Sequence, residues 1–152
     1  MDIGDILALL GTPLQQVFWL ASLATAAVGL ALGDRPVRLG VVLVLVNFGL
    51  SGLVDGWVWQ TIRAGVAGLD GALFAGLALL AWRSRRWWAH VAAAFALLGF
   101  VAHFVAMADA SIWWRAYVGL RWCFSAAVVA ALLLGVVEAP FARRYERWAA
   151  SL

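Results

Sequence analysis

The chain has 152 residues, 66% hydrophobic and only 12% charged, and a soluble domain of this size could not bury so much apolar surface. Its formal charge of +3 does not indicate a nucleic-acid-binding face, because the arginines lie between apolar runs. The single cysteine, Cys123, excludes an internal disulfide and a CxxC metal or redox motif. We therefore expect an integral membrane protein with no nucleic-acid partner, no metal site and no cofactor.

Five apolar runs are each long enough to cross a hydrocarbon core of roughly 30 Å, which takes about 20 helical residues. No alternation with a period of two indicates barrel strands, and helices satisfy their own backbone polar groups inside lipid. We predict an all-α, polytopic integral membrane protein that forms one membrane domain over residues 1–152. The five predicted transmembrane helices lie near 14–33, 38–61, 65–82, 87–108 and 114–137.

Short amphipathic segments flank the spans, and we predict that they form interfacial helices. In segment 2–11, aliphatic side chains recur at helical spacing opposite two aspartates, and Thr12 and Pro13 then supply an N-cap and a first helical residue. The chain start lacks the basic region of a signal peptide, so we expect the first span to be retained. At the other end, Pro140 is expected to break the last span before a basic, aromatic segment, 140–151, that suits anionic headgroups.

The arginines are unevenly distributed between the predicted loops. Eight of the eleven fall in the first loop, the third loop and the C-terminal tail, whereas the opposite side has only Arg63 and Arg115. The positive-inside rule therefore predicts an outer N-terminus and a cytoplasmic C-terminus. The exclusive use of arginine is typical of GC-rich bacterial sequences, so we expect a multi-pass protein of a bacterial inner membrane. Tryptophans at the span ends, including Trp82 and Trp88, suggest an aromatic belt.

Ionisable residues within the predicted spans are costly in lipid and so indicate functional positions. Asp55 and Asp70 lie at similar distances on either side of a turn near residues 62–63, which places both carboxyls roughly 10 Å below the outer surface. His103 and Arg121 reach a similar depth on the fourth and fifth spans. The sequence therefore predicts a layer of two carboxyls, an imidazole and a guanidinium in the outer half of the bilayer.

Small residues on the second and third spans favour close packing, which would bring Asp55 and Asp70 together. Two adjacent carboxyls in a medium of low dielectric constant cannot both ionise cheaply unless a cation neutralises one of them, so the pair is a candidate proton donor. A buried Asp–Arg pair that only fixes helix packing is the alternative. Asn47, Ser51 and Asp55 share one helical face, although a mid-span serine commonly bonds its own i−4 carbonyl.

These arguments give two sets of candidate site residues. The candidate catalytic residues are Asp55, Asp70 and His103. The candidate ligand-binding residues are Asn47, Ser51, Trp59, Arg121 and Trp122.

The segment Ser51-Gly-Leu-Val-Asp55-Gly-Trp57 resembles the His-x-x-x-Glu-Gly-Trp pattern of emopamil-binding-protein-like (EXPERA) membrane proteins. As in that family, a second acid follows near the start of the next span, here Asp70. A basic aromatic turn at 83–88 and an aromatic start of the last span also fit the resemblance, which covers roughly residues 38–135 as an order of features. Ser51 stands where the family has histidine, and the loop between the second and third spans is shorter than in the family.

Members of that family hold sterols or related lipids in a membrane cavity, and some isomerise a sterol double bond with acidic residues. The resemblance implies that Asp55 and Asp70 are the acid pair. The sequence leaves three functions open, and the resemblance supports the first of them. This function is binding of a lipid- or isoprenoid-like small molecule, with acid-catalysed isomerisation or cyclisation of that molecule as an extension.

The other two functions are a non-catalytic subunit of a larger membrane complex and a small proton-coupled transporter or channel. Five spans cannot form two equal inverted halves, so transport would require an oligomer. The expected partners are accordingly a membrane lipid or hydrophobic small molecule, further copies of the chain, or other subunits of a membrane complex.

Overall fold

The computed structural model describes residues 12–59, 63–108, 114–149 and 151. This part of the chain is all-helical, and each of its five helices is long and apolar enough to cross a membrane, which confirms the predicted all-α chain with five such helices. The helices are α1 (Pro13–Leu32), α2 (Arg35–Val54), α3 (Ala64–Ser84), α4 (Trp87–Ala108) and α5 (Trp114–Ala149). Helix α4 packs most extensively against α3 and α5, whereas α1 packs mainly against α5 and α2.

The starts of α1 and α2 follow from local sequence chemistry. Thr12 caps α1 as predicted: its backbone N–H donates to Gln15 Oε1 at 2.7 Å, and its hydroxyl accepts from the Gln15 N–H at 3.5 Å. The Asp34 carboxylate caps α2 by accepting from the Val37 N–H at 3.2 Å. In both helices a proline follows in the first turn, where its missing N–H costs nothing.

Helix α2 ends earlier than the predicted span 38–61. It stops at Val54, and a turn follows in which the Trp57 N–H donates to the Val54 carbonyl at 3.0 Å. The apolar run continues through this turn, so hydrophobicity alone does not mark the end of the helix. Asp55 therefore lies at the end of α2, whereas Asp70 lies six residues into α3, which is roughly 9 Å along the helix axis. The expectation that the two carboxyls share one depth was wrong.

Helix α5 passes through Pro140 and continues to Ala149, so the predicted break at Pro140 was wrong. A proline removes one backbone N–H and leaves one carbonyl without its partner, which a helix as long as α5 can tolerate. The segment 140–151, predicted to be a separate interfacial helix, forms the end of α5 up to Ala149. The other predicted interfacial segment, 2–11, lies outside the described residues.

For the rest of the description, the end of the bundle at which α1 joins α2 is called the Asp34 end, and the opposite end is called the Asp55 end. Ion pairs join three parts of the chain at the Asp34 end. Arg86 Nη2 lies 3.2 Å from Asp34 Oδ2, and Arg86 Nη1 lies 3.8 Å from Glu138 Oε1. These contacts tie the start of α2 and the α3–α4 turn to α5.

Trp88 lies in the core near the Asp34 end and not in an aromatic belt, which corrects the sequence-based interpretation of this residue. It is 1% exposed, whereas Trp82 is 83% exposed. Its ring fits between two glycines: an added Cβ on Gly135 would lie 2.8 Å from Trp88 Cδ2, and one on Gly40 would lie 3.0 Å from Cη2. Glycine at both positions therefore leaves the space that the indole fills, and apolar packing closes this half of the bundle.

Candidate functional site

The carboxylate of Asp70 on α3 is bound by side chains from three other helices. Its Oδ1 accepts from Asn47 Nδ2 on α2 at 3.2 Å. Its Oδ2 lies 2.9 Å from His103 Nε2 on α4 and accepts from Arg121 Nη2 on α5 at 2.9 Å. Four helices thus meet at one acidic side chain, and both of its oxygens are occupied.

The imidazole of His103 extends this arrangement away from Asp70. The side chain is fully buried, at 0% exposure, and its Nδ1 lies 2.8 Å from the Tyr117 hydroxyl. With the proton on Nε2, a neutral histidine donates to Asp70 and accepts from Tyr117, so both ring nitrogens are satisfied. The Arg121 guanidinium carbon also lies 5.8 Å from the centre of the Tyr117 ring, within the range of a cation–π contact.

Helical spacing explains how α2 and α5 supply these groups. Tyr117, Arg121 and Ser125 follow one another at intervals of four residues and so share one face of α5. On α2, Asn47 and Ser51 have the same relation, and the Ser51 hydroxyl donates to the Asn47 backbone carbonyl at 2.7 Å. Ser51 thus has the i−4 bond that is typical of mid-helix serines. We refer below to Asn47, Asp70, His103, Tyr117 and Arg121 as the Asp70 network.

Asp55 does not belong to this network. Its carboxylate forms an ion pair with Arg63, and both side chains are more than one-third exposed. The expected pairing of Asp55 with Asp70 is therefore wrong, because each carboxylate is bound to a different arginine. The physical reason is the early end of α2, which leaves Asp55 in the connecting turn, within reach of the residue that precedes α3.

A groove of about 320 Å³ lies next to the Asp70 network, between α1, α2 and α5, and is called the polar groove below. One part of its lining can form hydrogen bonds and consists of Asn47, Ser51, Asp70, Arg121 and Ser125. An aromatic part consists of Phe18, Trp19, Phe48 and Trp122. The groove therefore combines a small polar region with a larger apolar wall, which is the usual composition of a small-molecule site.

The aromatic wall of the polar groove is built from edge-to-face contacts. The ring centres of Phe18 and Trp122 are 4.7 Å apart at an interplanar angle of 80°, and those of Trp19 and Phe48 are 5.6 Å apart at 81°. This arrangement places the positive edge of one ring against the negative face of the next. It also joins α1 to α2 and α5 through apolar contacts.

Two glycines of α2 help to keep the polar groove open. Gly49 and Gly52 both line it, and a Cβ added to either would meet no other atom within 4 Å. A larger side chain at these positions would point into empty space instead of into a neighbouring helix. The volume of the groove therefore depends on the absence of side chains at Gly49 and Gly52.

A much smaller cavity, of about 20 Å³, adjoins the same polar side chains and is called the small chamber below. Asn47, Asp70, Arg121 and Ser125 line both the small chamber and the polar groove. The remaining lining of the chamber is apolar apart from backbone atoms. A volume of this size holds about one water molecule, and the polar side chains provide the partners that a buried water needs.

The candidate residues divide into three groups. The structure joins Asn47, Asp70, His103 and Arg121 by hydrogen bonds and places Ser51 and Trp122 in the lining of the polar groove. Asp55 and Trp59 belong neither to the hydrogen-bonded set nor to the lining of the polar groove, and Trp59 is 59% exposed.

Sequence reasoning missed Tyr117 and Ser125 as site residues. Both stand four residues from Arg121, so their helical spacing was an available signal. Phe18 and Phe48 could not be distinguished from other apolar residues of their spans. Comparison of the chain with protein-family models, curated proteins and solved structures found no match.

Proposed function

We propose that this chain binds an amphipathic, lipid- or isoprenoid-like small molecule in the polar groove. The observation that carries the proposal is the combination of an aromatic wall and a hydrogen-bonding region in one groove of about 320 Å³. Ligand sites in proteins generally have volumes from roughly 300 to 1,000 Å³ and are mostly apolar, with a few polar groups that orient the ligand. The apolar part of the ligand packs on the rings, and its polar group faces Arg121 and Ser125.

The charges around the groove favour a ligand whose polar group is uncharged. Arg121 is the cation that lines the groove and Asp70 is the anion, and the two are joined at 2.9 Å. An anionic headgroup would have to compete with Asp70 for Arg121, and a cationic one would have to compete with Arg121 for Asp70. A hydroxyl or carbonyl group can form hydrogen bonds without separating this pair.

We propose that the Asp55 end of the bundle faces the outside of a bacterial inner membrane and that the C-terminus lies in the cytoplasm. The uneven distribution of the arginines supports this orientation. The polar groove then lies in the outer half of the bilayer, where a lipid-like ligand can enter from the membrane. Membership of the emopamil-binding-protein-like family remains a hypothesis that rests on the second span and the features after it.

The packing below the Asp70 network favours a closed ligand site over a transport pathway. From Asn47 towards the Asp34 end, the buried side of α2 consists of Val44, Val41, Gly40 and Val37. The facing part of α3 buries Leu73, Leu77 and Ala81. An ion or proton would have to cross this apolar layer without polar side chains from either helix. A role as a subunit of a larger complex remains the other alternative.

Acid-catalysed isomerisation or cyclisation is a second candidate function. It is supported by the hydrogen-bonded chain from Asp70 through His103 to Tyr117, along which a proton can move. Against it, both Asp70 oxygens already accept hydrogen bonds, so this carboxylate is better suited to holding its neighbours than to donating a proton. Binding is therefore the function that the geometry supports best.

The catalytic candidate predicts that Tyr117→Phe slows proton exchange while ligand binding is retained, since only the hydroxyl at the end of the chain is lost. The expected loss is on the order of 100-fold, the lower range for general acid–base catalysis. The measurement is incorporation of deuterium from D₂O into a bound prenol, followed by mass spectrometry. Equal exchange by the parent protein and by protein-free detergent would rule out this candidate but not binding.

The binding proposal is tested by filling the groove. Gly52→Leu adds a side chain to a residue that lines the groove, and its Cβ meets no other atom within 4 Å. We expect binding of a long-chain prenol, measured by native mass spectrometry on the purified protein, to fall at least roughly tenfold, the effect of losing about 1.4 kcal/mol of contacts.

Gly68→Leu is the matched control for this experiment. Gly68 is also a helical glycine with nothing within 4 Å of an added Cβ, but it does not line the polar groove. Both substitutions raise helix propensity to a similar degree, so folding is not expected to distinguish them. If the two variants bind the prenol equally well, the polar groove is not the ligand site.

A further inference from the structure

A third cavity lies deeper between α1, α2 and α5 and is called the deep pocket below. It has a volume of about 10 Å³, and its only polar side chains are Ser22 and Thr25. Ser22 lies one helical turn, roughly 6 Å, beyond Phe18 along α1, in the direction away from the polar groove. The linings of the deep pocket and the polar groove share Phe48, so the two cavities lie next to each other between the same three helices.

The Ser22 hydroxyl distinguishes this pocket from an ordinary packing defect. Ser22 is 7% exposed, and its Oγ has no hydrogen-bond partner in the part of the chain that the structure describes. Two other hydroxyl residues of the bundle behave differently: Thr25 donates to the Ala21 carbonyl at 2.8 Å, and Ser51 donates to the Asn47 carbonyl at 2.7 Å. A buried hydroxyl without a partner is unfavourable, so this oxygen is suited to bind a group that enters the pocket.

The ring of Phe48 borders all three of these cavities. Phe48 lines the polar groove, the small chamber and the deep pocket. Its ring-to-ring contacts are with Phe18 at 5.8 Å and Trp19 at 5.6 Å between centres, and the side chain also packs against the buried apolar core. Such contacts are weak individually and carry no hydrogen bond, so a rotation of the ring breaks no polar interaction.

We propose that Phe48 is a gate between the polar groove and a second polar subsite at Ser22. This inference rests on the proposed function and specifies its ligand, which carries two uncharged oxygen groups separated by an apolar section. One oxygen binds beside Arg121 and Ser125, and the other, a single hydroxyl or carbonyl, passes Phe48 and bonds to Ser22. The small size of the deep pocket, which suits one oxygen atom, and the apolar character of its other walls restrict the second group to this class.

The inference is tested with a saturated fatty alcohol and with diols of the same chain length in which the second hydroxyl moves along the chain. Binding to the purified full chain is measured by native mass spectrometry. We expect one diol spacing to bind more tightly than the alcohol by roughly 3- to 10-fold, the contribution of one hydrogen bond. Ser22→Ala is expected to remove that preference and to leave binding of the alcohol unchanged.

The thermal stability of the empty protein provides an independent readout. Ser22→Ala removes a hydroxyl that has no partner and is expected to raise the unfolding temperature, whereas Thr25→Val removes a hydroxyl that is bonded to Ala21 and is expected to lower it. Phe48→Ala is expected to speed association of the preferred diol while its preference over the alcohol persists.

The outcomes separate the inference from the proposed function. If the alcohol binds but no diol binds more tightly, or if the preference survives Ser22→Ala, the second subsite does not exist. An unchanged association rate in Phe48→Ala overturns the gate. Absence of binding of every alcohol and diol, in the parent protein and in Phe48→Ala alike, overturns the proposed function itself.

Discussion

Replacing Asp70 by leucine is expected to lower the free energy of unfolding by about 3–5 kcal/mol, the usual cost of removing one partner from a buried ion pair. The substitution leaves the donors of Asn47, His103 and Arg121 facing an apolar side chain. Asp70 is largely buried, so water cannot readily replace its carboxylate. The measurement is reversible unfolding in detergent micelles with increasing denaturant, followed by circular dichroism.

Asp55→Leu is the matched control for this prediction, since it also removes an aspartate that is paired with an arginine. The Asp55–Arg63 pair is exposed, and its loss is expected to cost no more than about 1 kcal/mol. The double variant Asp70→Leu/Arg121→Leu is expected to be more stable than the sum of the two single effects by about 1–3 kcal/mol, because no unpaired charge remains. Equal destabilisation by Asp55→Leu and Asp70→Leu would contradict the central role of Asp70.

Trp88→Ala is expected to destabilise the bundle by about 3–5 kcal/mol because it creates a large cavity between α2, α4 and α5. The ring of Trp88 is buried against Gly40 and Gly135, and neither glycine has a side chain that could fill the space. The effect is measured by the same unfolding assay. Since Trp88 does not line the polar groove, prenol binding to the folded fraction is expected to persist.

Gly135→Ala tests the same contact from the other side. Its added Cβ would approach the Trp88 ring to 2.8 Å, and the overpacking is expected to cost about 1–3 kcal/mol. Gly119→Ala, on the same helix and with nothing within 4 Å of the added Cβ, is expected to be neutral or slightly stabilising. A belt role for Trp88 predicts small effects for all three substitutions and would be supported by that result.

The predictions for Asp70 and Trp88 concern opposite ends of the same helix bundle. Apolar packing around Trp88 and the Asp34–Arg86–Glu138 contacts close the bundle at the Asp34 end. The Asp70 network joins α2, α3, α4 and α5 nearer the Asp55 end. Helix α1 takes no part in that network and closes the polar groove only through its aromatic residues. The groove is therefore bounded by a hydrogen-bonded polar side and by an aromatic side.

Part of the site was predictable because buried ionisable residues are rare in lipid-spanning helices. Asp70, His103 and Arg121 were identified on that ground, and hydrogen bonds join Asp70 to each of the other two. Asp55 was identified by the same reasoning, but α2 ends before it. The position at which a helix ends inside an apolar run depends on a local turn. Such a turn does not change the hydrophobic pattern, so the end of α2 could not be predicted from it.

The amino-acid sequence alone determined that the chain forms five long apolar helices and where α1 begins, because hydrophobicity, the lack of charge and the Thr12–Pro13 cap act locally. Only the tertiary structure decided that Asp70 binds Arg121 while Asp55 binds Arg63, and that Trp88 is a core residue. Helical periodicity reveals which residues share a face, but in lipid nearly every face is apolar. The neighbour that each face meets is therefore set by the packing of the whole bundle.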